Sequence, residues 1–269
     1  MAKSICLIDA SKCMGCRGCQ AACKQWNQLP AERTVFTGSY ENPPRFSANT
    51  WLRVAFREHG DNGRVDWLMS KQGCMHCTDA ACMQACPAGA IYRTAFGTVN
   101  IDQVKCIGCN YCVVACPFGV IGFDRRTNKA RKCTFCIDRL ENGLQPACAA
   151  ACPTGSIIFG EASDLIPRAM SRVDQLKAAG KAGARIYGLD ELNGTAMLYV
   201  LADAPDKYGL PADPEVPLQT RISNVIFKPV RVLVVVAAIF GLWVTRSRSK
   251  QLEQARGESK QTGGETKWK

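Results

Sequence analysis

Histidine is almost absent: His59 and His76 are the only two in 269 residues. Nucleophilic triads that rely on an imidazole, and zinc sites built on histidine, therefore have little material to draw on. Also missing are a GxGxxG turn and a phosphate loop of the GxxxxGK type, the glycine-rich elements that cradle dinucleotides and nucleoside triphosphates. The opening MAKSICLIDA has no apolar h-region and no small-residue cleavage site, which predicts that the sequence does not direct its own export. Long apolar runs are scarce as well. The longest, Val232 to Val244, has 13 residues, against the ~20 of a helix that crosses a bilayer.

Cysteine is the opposite case. Of 17 cysteines, sixteen fall into four quartets: Cys13, Cys16, Cys19, Cys23; Cys74, Cys77, Cys82, Cys86; Cys106, Cys109, Cys112, Cys116; and Cys133, Cys136, Cys148, Cys152. Each opens with CxxC and closes with CxxxC, and the third, CIGCNYCVVACP, matches the bacterial ferredoxin run C-x2-C-x2-C-x3-C-P that ligates [4Fe-4S] clusters. A zinc ribbon sets two CxxC knuckles roughly 15 to 20 residues apart, a spacing the first and third quartets do not have. A disulfide framework belongs to small secreted domains, which this chain does not resemble. Cys6, in an apolar ICLI run, reads as a small buried hydrophobe.

In ferredoxin runs the fourth cysteine ligates the other cluster of a pair. Applied to the two middle quartets, this gives one cluster on Cys74, Cys77, Cys82 and Cys116 and another on Cys106, Cys109, Cys112 and Cys86. The outer quartets then pair across them, as Cys13, Cys16, Cys19 with Cys152, and Cys133, Cys136, Cys148 with Cys23. Four [4Fe-4S] clusters and no catalytic constellation define an expectation of an electron wire. The net charge of +11 looks suited to nucleic acid, but four clusters at about −2 each leave the loaded chain near +3 by the same ligation. Lys12, Lys105 and Lys132 each precede the first cysteine of a quartet and are expected either to compensate cluster charge or simply to be solvated. The run Arg125, Arg126, Lys129, Arg131, Lys132 is read the same way, with docking of an acidic partner as the other option. His76, inside CMHC, is expected to be packed or to donate to a cluster, and Trp26 to cap one.

The predicted fold class is α+β: two bacterial-ferredoxin-like two-cluster modules related by pseudo-symmetry, followed by a single C-terminal transmembrane helix. Residues 1–160 form the four-cluster domain, with an inner module at 74–123, an outer module at 5–28 with 131–160, and an insert at 29–73. The insert reads as surface loops around a strand near Trp51 to Phe56 and as a contact surface for another subunit. Pro87, Pro117 and Pro153 follow three closing cysteines and end the ligand-bearing turns. A hairpin is expected with strands at Ala90 to Arg93 and Thr98 to Asp102. Residues 161–220 supply a small extension and a linker: a helix with apolar Leu165, Ala169, Val173 and Leu176 capped by Ser163 or Asp164, a strand over 195–201, and a proline-rich linker over 204–217. A transmembrane segment is placed at 221–245, with Lys228 and Arg231 snorkelling and Trp243 at the interface. Arg246, Arg248, Lys250, Arg256 and Lys260 follow it against Arg221, Lys228 and Arg231 at its start, so the C-terminus is expected in the cytoplasm and the cluster domain on the periplasmic side of the inner membrane. Residues 246–269 read as a disordered basic tail.

The stretches LIDASKCMGCRGCQAACKQWN, GCMHCTDAACMQACPAGAI, CIGCNYCVVACPFGV, KCTFCIDRLENGLQPACAAACPTGSI and GTAMLYVLAD resemble the beta subunits of membrane-bound respiratory formate dehydrogenases, over residues 5 to 245. The cysteine framework is shared more widely, by iron–sulfur subunits of molybdopterin oxidoreductases and some hydrogenases. The resemblance implies four [4Fe-4S] clusters in a line with the nested pairing. It also implies a molybdenum- or tungsten-pterin catalytic alpha subunit, a gamma subunit with haem b that passes electrons to quinone, and export as a passenger of the alpha subunit. A hydrogenase or a sulfur or sulfoxide reductase subunit, and a soluble polyferredoxin, are the competing readings. The last 24 residues match no pattern of the family.

Overall fold

The computed structural model describes residues 3–61, 64–223 and 228–262. Two compact units are present, Met1–Thr220 and Arg221–Lys269. In chain order the first contains strand β1 (Ser4–Asp9), helix α1 (Gly18–Trp26), strands β2 (Leu52–Asp61) and β3 (Arg64–Gly73), and helix α2 (Ala81–Gln84). Next come β4 (Ile91–Arg93), β5 (Val99–Ile101), α3 (Tyr111–Ala115), β6 (Gly122–Asp124) and β7 (Lys129–Arg131). Helices α4 (Ile137–Glu141) and α5 (Ala147–Ala150), strand β8 (Ile157–Glu161), helix α6 (Ala162–Ala178) and strands β9 (Arg185–Tyr187) and β10 (Met197–Leu201) complete the order up to the short helix α7 (Leu218–Ile222).

The core is a four-stranded sheet in the order β8-β1-β10-β9, with β1 and β10 parallel and the outer pairs antiparallel. Both central strands are buried along their whole length. This explains their unbroken apolar sequences, since a strand covered on both faces needs no polar alternation. Helix α6 packs on this sheet through Leu165, Ala169, Val173 and Leu176, the face its periodicity predicts. The helix begins two or three residues earlier than expected, with Glu161 as its N-cap and no capping side chain from Ser163 or Asp164. The residues expected to form an extension thus supply two of the four strands of the central sheet. The stretch expected as a linker is also packed down: Tyr208, Leu210 and Val216 are buried, Tyr187 donates its hydroxyl to the Pro211 carbonyl at 2.8 Å, and Gln72 donates to the Tyr208 carbonyl at 2.7 Å. Its prolines break regular structure without freeing the chain.

Three two-stranded hairpins surround the sheet: β2–β3, β4–β5 and β6–β7. The hairpin β4–β5 pairs Ile91 with Ile101, inside the strands predicted. The insert differs. Where one strand among loops is expected, β2 and β3 pair in register over ten residues each, from Leu52↔Gly73 to Asp61↔Arg64. Strand β3 escapes the pattern because Ser70, Lys71 and Gln72 read as a polar loop, yet all three are buried. The loop before the hairpin is pinned by Glu41, buried, which accepts hydrogen bonds from the Arg53 and Arg57 side chains and from the Phe56 amide at 3.0 Å.

The second unit holds helix α8 (Lys228–Thr262). It continues well past residue 245, so the tail expected to be disordered is helical as far as Thr262; between Trp243 and Arg256 the sequence has neither glycine nor proline to end it. Among the described residues no helix is long and apolar enough to cross a membrane, because the apolar run is confined to 232–244 and charges follow at once. Residues 224–227 of the expected span and 263–269 of the tail lie outside the described residues.

Replacing Glu41 by alanine leaves Arg53 facing a largely buried site without its counter-charge, which is expected to cost about 3 kcal/mol. Thermal unfolding followed by circular dichroism would show an earlier transition; an unchanged transition would mean that the insert is held by other contacts.

Candidate metal centres

Each quartet is built from a loop that leads into a short helix. Cys13 and Cys16 precede α1, which carries Cys19 and Cys23; Cys82 sits on α2, Cys112 on α3 and Cys148 on α5. The loops turn tightly where a side chain has no room. Gly108, between Cys106 and Cys109, has φ +73°, and a Cβ there would lie 2.3 Å from the Asn128 carbonyl oxygen. Gly15, in the equivalent place in the first quartet, has φ +69° and would meet Met69 at 2.5 Å. Only glycine combines the left-handed conformation with so close an approach.

Four cavities result, each ringed by four cysteines drawn from two quartets, with Cys74 as a fifth in the wall of the second. The first is lined by Cys13, Cys16, Cys19 and Cys152, and the second by Cys23, Cys133, Cys136 and Cys148. Cys74, Cys77, Cys82 and Cys116 ring the third; Cys86, Cys106, Cys109 and Cys112 ring the fourth. Cys6, though fully buried, lines none of these four.

The cavities form a row. Lys71 lines both the first and the second, Cys74 both the second and the third, while the third and fourth draw alternate cysteines from α2 and α3 and the turns that follow them. At the two ends a cysteine comes to the surface, Cys16 in the first cavity and Cys109 in the fourth; all other cysteines are buried or half-buried.

The donor set fits an iron–sulfur group. Among the described residues no three His, Cys, Asp or Glu side chains are arranged to hold a single metal ion. The thiols ring a volume instead of converging on a point, which suits a cubane and not zinc with Zn–S bonds of about 2.3 Å. Backbone amides point at several sulfurs: Ala90 N–H to Cys86 Sγ at 3.3 Å, Phe135 N–H to Cys133 Sγ and Ile157 N–H to Cys152 Sγ, both at 3.4 Å. Burial, and next the neighbouring thiolates, pushes the Cys19 and Cys112 thiols up to about 12; burial, then Cys74, does the same to Cys133. Four thiolates do not coexist in such a site unless cations offset them, which is what iron supplies.

His76 gives a second sign of fit. Its ring is fully buried on the lining of the third cavity, and Nδ1 accepts the Val99 amide at 3.2 Å. Burial, then Lys132 and Lys71, holds its pKa well below the ordinary value, so the neutral ring carries its proton on Nε2. That N–H has no partner among the described residues. A sulfur of a bound cluster would satisfy it.

Several expected side chains stand elsewhere. Trp26 does not cap a cavity: it is 42% exposed, donates to Asp138 at 2.7 Å and lies under the Arg139 guanidinium at 4.2 Å, tying α1 to α4. Trp51 covers the second cavity instead. Of the three lysines that precede quartets, Lys12 and Lys105 are exposed partners of Asp9 and Asp102, each at 3.8 Å, whereas Lys132 is buried. The basic run divides likewise: Arg125 and Arg126 are exposed, Arg131 pairs with Asp124 at 3.4 Å, and Lys129 donates to the Cys106 carbonyl. Lys71 was not among the sequence candidates; a lysine flanked by serine and glutamine carries no signal of burial.

Comparison with known proteins agrees with this geometry. Two family models described as 4Fe-4S dicluster domains match residues 12–90 and 65–162. The chain is 42% identical over 240 residues to the iron-sulfur subunit of the nitrate-inducible formate dehydrogenase of Escherichia coli, covering 88% of this chain and 82% of that protein. It is also 42% identical over 229 residues to the formate dehydrogenase iron-sulfur subunit of Haemophilus influenzae, covering 83% and 73%. With formate dehydrogenase subunit beta of Megalodesulfovibrio gigas the identity is 34% over 211 residues, covering 75% and 94%. Paired dicluster modules around thiol-ringed cavities define a ferredoxin-type electron-transfer subunit that binds [4Fe-4S] clusters. Within that class the chain belongs to the iron-sulfur (beta) subunits of formate dehydrogenase.

The Gly108→Ala variant is expected to lose one centre, about four iron atoms per chain, with the others retained. Iron analysis of anaerobically purified protein checks this; full iron content in the variant would contradict the steric argument.

Proposed function

We propose that the chain holds four [4Fe-4S] clusters in one row and relays electrons from a molybdenum- or tungsten-pterin subunit that oxidises formate to a membrane cytochrome b and on to quinone. In this reading Cys13, Cys16, Cys19 and Cys152 ligate the first cluster, and Cys133, Cys136, Cys148 and Cys23 the second. Cys74, Cys77, Cys82 and Cys116 ligate the third, and Cys106, Cys109, Cys112 and Cys86 the fourth. The observation that carries it is the succession of four thiol-ringed cavities, the first three joined by shared lining residues and the third and fourth by cysteines of the same two quartets. Bound clusters supply one-electron redox chemistry. The protein's part is to fix their order, to exclude water from the middle of the row and to open its ends.

Both ends carry exposed apolar side chains near the accessible cysteine: Met14, 60% exposed, which lines the first cavity with Cys16, and Ile107, 66% exposed, with Val104, Tyr111 and Val114 close in sequence to Cys109. Such patches favour protein partners, and they stand where electrons would enter and leave. Phe36 and Tyr40 in the insert offer a further contact for the catalytic subunit. In α8 the exposed Leu233, Val236, Ile239, Phe240 and Trp243 call for an apolar cover. We assign that cover to the inner membrane, with the cluster domain on the periplasmic side and the basic end of the helix in the cytoplasm.

Anaerobically purified protein should contain about sixteen iron and sixteen sulfide per chain and co-purify with a pterin-containing large subunit. About eight iron, or chiefly zinc, would overturn the reading of four clusters; a nickel–iron large subunit would overturn the reading of formate.

A further inference from the structure

Among the described residues two lysines stand in the interior, each 2% exposed and each close to cysteines of two thiol-ringed cavities. Lys71, on β3, lines both the first and the second cavity; its Nζ donates to the Met197 thioether at 3.4 Å. Lys132 donates to the Val99 carbonyl and, at 3.0 Å, to the Cys133 carbonyl. That contact sets it beside Cys133 of the second cavity, and its ammonium interacts electrostatically with Cys74 and Cys82 of the third. No carboxylate pairs with either ammonium among the described residues. A buried lysine without an acidic partner is costly, and only negative charge in the adjoining cavities offsets it.

The fourth cavity has no such neighbour. Apart from its cysteines it is lined by Ala90, Ile91, Ile101, Ile107, Ala130 and Asn110. Lys129 donates to the Cys106 carbonyl near it but is half-buried and screened by solvent. Arg17 also lines the first cavity but is half-buried. Of the two fully interior cations the second cavity therefore has both beside it, the first and third one each, and the fourth none.

We propose that Lys71 and Lys132 are potential-setting residues, which raise the reduction potentials of the first three clusters, the second most, and leave the fourth lowest. The proposal rests on the ligand sets given above. Each cluster accepts one electron and becomes more negative by one charge; a fixed cation at close range in a poorly polarisable interior favours that change. Unevenness of this kind gives the wire a potential well at its second position. A lysine serving only to assemble the fold would not produce it.

The test is a mediated redox titration with dithionite, followed by electron paramagnetic resonance, on the full chain purified without oxygen. In the wild type one of four clusters should titrate below the other three. Lys71→Met should lower two midpoints, Lys132→Met two, and the double variant three. Each shift should be a tenfold or larger change in the oxidised-to-reduced ratio, about 59 mV for one electron, with the lowest cluster unmoved throughout. Lys71→Arg and Lys132→Arg keep the charge and should keep wild-type midpoints. Methionine variants with full iron and unshifted midpoints overturn the proposal, as does a uniform shift of all four clusters. Should the methionine variants fail to assemble, the wild-type titration decides, since no separate lowest cluster would overturn it as well. Iron content read alongside separates the two levels: low iron in the wild type contradicts the ligand sets, full iron with flat potentials contradicts the role of the lysines.

Discussion

Negative charge held out of water is the constraint on which the rest of this structure depends. Sixteen cysteine sulfurs ring four cavities, and burial, followed by neighbouring thiolates, drives thiols such as those of Cys19, Cys112 and Cys133 toward the protonated form. Stability of the loaded protein therefore requires cations inside: iron at each cavity, and ammonium groups between cavities. Polar satisfaction at this level explains why β3 brings a lysine into the core and why a buried histidine on the wall of the third cavity carries an N–H that no described residue accepts.

The fold serves that arrangement. A parallel pair joins β1 with β10, almost 190 residues later in the chain, and so fastens the first quartet to a strand that follows the last. The β2–β3 hairpin then lies across the open side of the first two cavities, where Trp51, Val54 and Lys71 contribute to their linings. Function and folding share these contacts. Electron relay needs fixed distances between centres, and a core in which a strand, a helix and a cavity wall are the same residues cannot easily vary them.

Much of this was legible in the sequence because ligation is local. CxxC and CxxxC spacings dictate which sulfurs share a loop and helical turn, the rule for the fourth cysteine gives the crossing between quartets, and the apolar period of α6 names its buried face. What stayed hidden depends on distant pairing. The β1–β10 partnership has no local signal. Lys71 looks like an ordinary surface lysine until Met197 is placed beside it. Trp51 takes the place expected of Trp26 for the same reason: it reaches the second cavity through the fold of the insert, which no local signal specifies. The apolar stretch near the C-terminus shows the limit from the other side, since its hydrophobicity is plain while its 13 residues leave the structure without a helix apolar enough to span a bilayer among the described residues.

Anomalous diffraction at the iron edge, from crystals of the oxygen-protected full chain, addresses the central claim most directly. Four compact iron peaks in a row, each enclosed by cysteines of two different quartets, is the predicted result. Peaks enclosed by the four cysteines of a single quartet, or lone metal ions in place of clusters, would contradict it.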